Sequence, residues 1–342
     1  FRWESPCENR VCRLNMAKKF RVLETVDPNV LSSLGRVAAL AIVCIGMGFI
    51  SPVFFSPRNI ILVVTNASVM AILGVGLTIT VITCGPDLSV GSILTIAAVV
   101  AVIMVKAEVN FIIAFLAALL LGTLLGILNG FLVAKVGLPS FISTYGLQWA
   151  LFGFAYVILK GYVIYDFDAD FRFIGNGLFA GVVPMPIVVM LLVVALGWFI
   201  LRKTTLGRMF YATGANKVAA QMSGINTGKA IFLAFGISGF LSALAGLVLV
   251  ARINACQADI GKNILLSSLA TVYMGGTRAT GGQGGVFGTL IGALIMTVVE
   301  NAMNLLGVPS VWRNAITGTL IIFTVLANLW VSNRLEKVST KT

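Results

Sequence analysis

The sequence predicts an all-α integral membrane protein with about ten transmembrane helices, some of them discontinuous. Three observations lead there. Of the 342 residues 58% are hydrophobic and only 11% charged, which is not the balance of a soluble domain. The apolar residues come in runs near the ~20 residues needed to cross a bilayer. Glycine and proline also break apolar stretches, as at Gly85-Pro86-Asp87, where the freed backbone groups need partners inside the protein.

Taken in order, residues 1–35 form a basic, mostly polar tail, expected on the cytoplasmic side. Met16-Ala-Lys-Lys reads as a natural start, which makes residues 1–15 an upstream extension. The first apolar run is long and has no evident small-residue cleavage site, so no cleaved leader is expected. The expected transmembrane domain is 36–331, with crossings at 36–55, 59–82, 88–105, 111–134, 140–159, 184–201, 230–251, 263–277, 286–306 and 311–331. Residues 332–342 form a second cytoplasmic tail. With the amino terminus inside, the inner segments hold 17 Lys and Arg and the outer ones seven, in line with the bias of basic loops toward the cytoplasm. The net charge of +12 is explained by this bias, and no nucleic-acid partner is expected.

Several chemistries find no support. No histidine occurs, which removes the usual proton shuttle and the commonest metal ligand. The cysteines Cys7, Cys12, Cys44, Cys84 and Cys256 have no zinc-like spacing, and neither a disulfide framework nor a metal site is indicated. No nucleophile–base pair or paired-carboxylate site emerges, so no catalytic residue is expected. The glycine run from Gly275 to Gly285 lacks the GxxxxGK[ST] pattern of a phosphate loop and reads as a tight inner turn. In the outer segment 160–183, Asp166, Asp168 and Asp170 alternate with Phe167, and period two would place the carboxylates on one face of an extended strand. Cys256 is the one cysteine on an expected outer segment, and it is expected to react with an impermeant thiol reagent.

The stretch 203–229 is the longest polar interruption in the interior of the chain, and Thr204 to Lys229 contains no carboxylate. Ala215 to Ser223 is rich in helix formers between Gly214 and Gly224, which predicts a short helix of about two turns. A solvated basic loop and a docking helix for a soluble partner both fit. Ala219 and Ala220 are the small residues at its middle.

Buried polar residues mark candidate pathways. Asp87 follows Gly85-Pro86 at the position of an N-cap, with the amide of Val90 in reach, and Ser89 lies beside it. A break within the membrane would bring two half-helices to a polar pocket, as at transporter sites. Glu300, Asn301 and Asn304 form a second cluster, in which spacing four puts Glu300 and Asn304 on one helix face. Asn66, Asn129 and Gln148 are further candidates. All of these would either line a route for a polar solute or bond neighbouring helices. Gly122, Gly126 and Gly130, at spacing four, form a stripe for close helix packing.

Four motifs, GPDLSVGS (85–92), LGRMFYATGANKVAAQMSGI (206–225), GGTRATGGQGGVFGTLIGAL (275–294) and NLLGVPS (304–310), together resemble permease subunits of bacterial sugar ABC importers of the ribose type. The likeness runs from about residue 36 to residue 331, in order and in spacing. Pro86 departs from it, since the family usually has isoleucine before the aspartate. The resemblance implies the ABC importer permease fold in the bacterial inner membrane, both termini cytoplasmic, paired with a second copy or a paralogue. It implies two further partners, a cytosolic ATPase that holds the ATP and magnesium and a periplasmic sugar-binding protein. This chain would carry no cofactor and would not be an enzyme. Residues 214–225 would be the coupling helix on the ATPase, with Gly207, Arg208, Gly214, Asn216, Ala219, Ala220, Gly224 and Ile225 as its contacts. An ion-coupled secondary transporter or a solute channel is the alternative. Asp87 and Glu300 are the residues able to serve such coupling.

Overall fold

A computed structural model describes residues 28–83 and 85–339. The expected extension 1–15, Cys7, Cys12, Cys84 and residues 340–342 lie outside the described residues. The apolar helices are α1 (Pro28–Ile50), α2 (Pro57–Thr83), α3 (Val90–Lys106), α4 (Phe111–Phe131, continued by a π-helical turn, Leu132–Val136) and α5 (Ser140–Leu159). A short helix α6 (Ala169–Asn176) precedes α7 (Met185–Lys203), then α8 (Thr205–Ala215), α9 (Lys217–Met222), α10 (Thr227–Ile253), α11 (Ile264–Met274), α12 (Val286–Leu305) and α13 (Ser310–Ser339). Each of the ten expected crossings falls on one of these helices. Six are long and apolar enough to cross a membrane: α2, α4 with its π turn, α5, α7, α10 and α12. The other four contribute shorter apolar segments, Leu34–Ile50, Val90–Lys106, Ile264–Met274 and Val311–Leu326.

Two core clusters meet on α10. One joins Leu73, Leu77 and Val81 of α2 to Met190 of α7, Phe210 of α8 and Val248 of α10. The other joins Ile93 and Val102 of α3, Ala118 of α4 and Leu151 of α5 to Leu247 of α10. The small-residue stripe of α4 is the reason α10 comes so close. A Cβ at Gly126 would lie 2.2 Å from the Phe235 carbonyl oxygen, and one at Gly239 would lie 2.2 Å from the Gly122 carbonyl oxygen. Leu116, Leu120 and Leu124, on the opposite face of α4, are exposed, as suits a helix with one face on protein and one on lipid.

The segment 160–183 corrects the expectation of an extended acidic strand. Ahead of the aspartates a two-residue strand, Ile164–Tyr165 (β1), pairs antiparallel with Ala255–Cys256 (β4), and a small hairpin of β2 (Leu178–Phe179) and β3 (Val183–Pro184) closes the segment. The chain then turns at Asp166 (φ 62°) and enters α6, flanked by Asp168. The spacing that matters is four: Phe167 and Phe171 are buried together, ring centroids 5.4 Å apart, while Asp168 and Asp170 face out. Burial of two phenylalanines outweighs the alternation of charge. Helix α6 lies across the end of α10, where Asn176 Nδ2 donates to the carbonyls of Ala251 (3.2 Å) and Arg252 (3.0 Å), which the helix end leaves unpaired. This covering also buries Cys256, 0% exposed, and burial pushes its thiol up to about 12. The expectation of labelling at Cys256 is therefore overturned.

Candidate functional site

At the break between α2 and α3, Asp87, Ser89 and Asn129 are all fully buried. Helix α2 stops because Gly85 takes a positive φ of 129° and Pro86 offers no amide. The freed end is satisfied locally and from afar: Gly85 N donates to Thr80 O (3.1 Å), and Gly282 N donates to Ile82 O (2.9 Å). Asp87 does not cap α3 through Val90, as its position suggests. Its Oδ1 accepts from Ser89 N (3.0 Å) and Ser89 Oγ (2.6 Å), and its Oδ2 accepts from Ser238 Oγ of α10 (2.8 Å). The carboxylate closes a turn onto Ser89, so α3 begins at Val90 without a side-chain cap.

The chain of donors extends further. Asn129 Nδ2 of α4 donates to Ser89 Oγ (2.8 Å), and Ser143 Oγ of α5 donates to Asn129 Oδ1 (2.9 Å). Ser143, Asn129 and Ser89 thus form a relay in which each donor points toward Asp87. It clasps α3, α4, α5 and α10 together at one buried carboxylate. Sequence reasoning missed Ser143 and Ser238, since a serine on an apolar helix usually bonds its own preceding turn. Gln148, on α5, is buried, and its Oε1 has no partner among the described residues. Asn66 is half-buried in α2 and joins neither this network nor the next.

The second sequence cluster separates. Glu300 Oε1 accepts from Ser267 Oγ of α11 (2.7 Å). Asn301 and Asn59 of α2 exchange two side-chain hydrogen bonds, 2.8 and 3.1 Å. Asn304 is exposed and accepts from Arg313 of α13 (2.8 Å). The three side chains leave α12 toward three different helices, each joining it to a neighbour.

The polar interruption folds into α8, α9 and the start of α10 because each has its own cap. Thr204, Asn216 and Asn226 accept from the amides of Gly207 (3.3 Å), Ala219 (3.0 Å) and Lys229 (2.9 Å). Gly224 (φ 79°) closes α9, and Ile225 N returns to Ala220 O (3.0 Å). Gly214 is no boundary. It sits inside α8, where a Cβ would lie 1.7 Å from the Ile82 carbonyl oxygen. Gly207 packs under the end of α7, whereas Arg208, Asn216 and Ala219 are exposed. Ala220 is only 5% exposed, so the two alanines are not equivalent. Val218 and Met222, one turn apart on α9, are 65% and 86% exposed, an apolar pair standing out of a polar segment.

The glycine run after α11 is more than a turn between helices. Tyr211 Oη of α8 donates to Gly284 O (2.8 Å), and burial raises the Tyr211 hydroxyl above its ordinary range, with Arg202 opposing. Arg36 of α1 donates to Gly275 O (2.8 Å). A Cβ at Gly282 (φ 72°) would lie 2.8 Å from the Ala215 Cα. The run thus joins α8 to the broken end of α2.

Comparison with known proteins places this architecture. The family model described as branched-chain amino acid transport system / permease component matches residues 59–325. The ribose import permease protein RbsC of Haemophilus influenzae is 40% identical over 300 residues, covering 86% of this chain and 93% of that one. The Bacillus subtilis ribose import permease protein RbsC is 36% identical over 299 residues (87% and 92%). The D-allose transport system permease protein AlsC of Escherichia coli is 34% identical over 302 residues (87% and 92%). No solved structure matches the chain. With a clasped, broken-helix membrane core, a family match over most of its length and relatives aligned nearly end to end, the chain belongs to the branched-chain amino acid transport system / permease component family.

Proposed function

We propose that this chain is the membrane-spanning permease subunit of an ATP-driven importer that moves a monosaccharide, pentose- or hexose-like, across the bacterial inner membrane. The named relatives, permeases for ribose and D-allose, support the substrate class. The orientation follows the basic bias, with α8 and α9 on the cytoplasmic side, both termini cytoplasmic and 160–183 periplasmic. The observation that carries the coupling is the exposed Val218–Met222 pair on α9. A folded helix with its own cap and closing glycine presents apolar surface to the cytosol, which fits a soluble partner and not a solvated loop. That partner is the ATPase, which holds the ATP and magnesium. A periplasmic sugar-binding protein and a second permease copy or paralogue complete the assembly.

In this reading 214–225 is the coupling segment. Asn216, Ala219 and Gly224 frame the docking face with Arg208 beside it, and Gly207, Ala220 and Ile225 hold it on the membrane core. Motion there has a short path inward, because Gly214 and Gly282 both bear on the Ile82 carbonyl, at the last turn before the Asp87 break. Alternating access then requires that ATPase contacts differ between the two states and shift that equilibrium. The sugar route runs along α5, on the side of Gln148, where Tyr145 and Trp149 are exposed in mid-helix. Such residues favour the membrane–water interface over hydrocarbon, so at mid-span they face a second copy and a polar route. Asp87, Ser89 and Asn129 form the wall behind it. Glu300, Asn301 and Asn304 belong to helix joints bordering that core, and Asn66 lies on α2 apart from them.

Reconstitution tests the proposal. The purified chain alone is expected neither to hydrolyse ATP nor to concentrate sugar, and both activities appear when the ATPase and binding protein are added. Concentrative uptake by this chain alone, driven by an ion gradient, would replace the proposal with an ion-coupled transporter; passive equilibration would indicate a channel.

A further inference from the structure

On the end of the molecule that carries α9, a cavity of about 560 Å³ opens between the π turn of α4, helix α9 and the first turn of α10. Three lysines from these three elements line it: Lys135, Lys217 and Lys229. All three are exposed, and none of their ammonium groups has a hydrogen-bond or ion-pair partner among the described residues. Like charges brought to one cavity repel each other and call for an anion. The first turn of α10, Thr227 to Lys229, also lines it, and the positive end of that helix adds to the potential of the lysines. The walls are not polar throughout. Ala134 and Phe232 line the cavity, and Phe131, four residues before Lys135, and Val136, next to it, are exposed apolar residues at the end of a membrane-length helix.

We propose that this cavity binds the phosphate headgroup of an anionic phospholipid. A free phosphate would need the lysines alone. The exposed hydrocarbon face beside Lys135 matches a ligand that carries both a phosphate and acyl chains, and basic pockets between spanning helices hold such headgroups. The volume is that of a small-ligand pocket. The site also has a consequence for α9. Lys217 begins that helix, and Gln221, on the same cavity wall, donates to Thr227 Oγ1 of α10 (2.9 Å). A bound headgroup shared by Lys135, Lys217 and Lys229 ties α9 to α4 and α10, and so sets how firmly α9 is seated. That this tie serves coupling to an ATPase rests on the function proposed above; the binding itself does not.

The test therefore reads binding and not transport. The full chain, purified in neutral detergent, is titrated with dioctanoyl-phosphatidylglycerol, dioctanoyl-phosphatidylcholine and inorganic phosphate, and retained lipid is measured by native mass spectrometry. The wild type is expected to prefer phosphatidylglycerol over phosphatidylcholine by about tenfold or more. The triple change Lys135→Gln, Lys217→Gln, Lys229→Gln is expected to abolish that preference. A control that removes the same charge elsewhere, Arg202→Gln, Lys203→Gln, Arg208→Gln, is expected to keep it. Equal retention of the two lipids by the wild type, or an unchanged preference in the lysine variant, overturns the proposal. Displacement of phosphatidylglycerol by millimolar phosphate assigns the cavity to a soluble anion and also overturns it. So does loss of ATPase co-purification in lipid-free detergent by a lysine variant whose lipid preference is intact, since the lysines would then serve protein docking.

Discussion

At Asp87 three donors converge on one carboxylate, and the residue's chemistry sets what can replace it. Asparagine keeps an acceptor for Ser89, and its amide can donate to Ser238 Oγ, so Asp87→Asn is expected to fold. Alanine leaves the donors of Ser89 and Ser238 without an acceptor in a site with no solvent, at about 1–3 kcal/mol for each unsatisfied group. Thermal unfolding in detergent should therefore rank wild type, asparagine and alanine in that order, with a small first step and a large second one. Equal melting of the alanine variant would show that the clasp contributes nothing. If the clasp also borders the sugar route, the asparagine variant is further expected to slow uptake at normal expression. Cys256 supplies the pH prediction. Its folded-state thiol titrates at about 12 against an ordinary 9.0, so the folded state holds its proton more tightly. That contribution is fully present below pH ~9 and declines as pH rises toward ~12. Cys256 is expected to resist a maleimide in the folded protein and to react once denatured. The sequence showed that it lies between two apolar runs, but not that α6 and β1 cover it.

Among the elements, α4 and α10 are held by the absence of side chains where they cross. Gly126→Ala puts a methyl carbon 2.2 Å from the Phe235 carbonyl oxygen, and the helices must separate. Such overpacking costs about 1–3 kcal/mol, and a lowered melting temperature with reduced membrane yield is the expected result. Gly46 on α1 is the contrast, with nothing within 4 Å of its Cβ position, and Gly46→Ala is expected to be neutral or slightly stabilising. Helix α9 calls for a different experiment. Because Ala220 is buried, a charge there would disturb packing and docking together. Val218→Asp with Met222→Asp changes only exposed positions, so expression is expected to be normal while ATPase co-purification and uptake fall. Normal uptake in that double variant would leave α9 a solvated helix.

For the whole molecule the open quantity is orientation, and exposure identifies the residues that report it. Tyr162 is 74% exposed beside β1, and Met222 lies at the far end of α10. In a background with Cys7 and Cys12 replaced by serine, Tyr162→Cys is expected to react with an impermeant maleimide in intact cells. Met222→Cys is expected to react only after permeabilisation. The reverse pattern would put α9 outside and remove the proposed ATPase docking.

The sequence by itself determined where the long apolar helices lie, because bilayer-length apolar runs and glycine–proline breaks are local signals. The ten expected segments fall on helices, six of them long and apolar enough to cross a membrane, and the small-residue face of α4 became a contact. It also marked Asp87 with Ser89, and separately Asn129, as polar candidates, since few such residues interrupt those runs. Tertiary structure alone decided what they do there. The partner of Asp87 is Ser238, 151 positions away, and no spacing in one helix encodes which serine of another will face it. The same holds for Gly214, which local propensity read as a boundary and packing made a seat for the Ile82 carbonyl. Alternating aspartates promised a strand in 160–183, and a helix formed because two phenylalanines four apart could be buried over the end of α10. Local patterns fix elements, whereas contacts across the chain depend on which faces meet when apolar surface is removed from solvent.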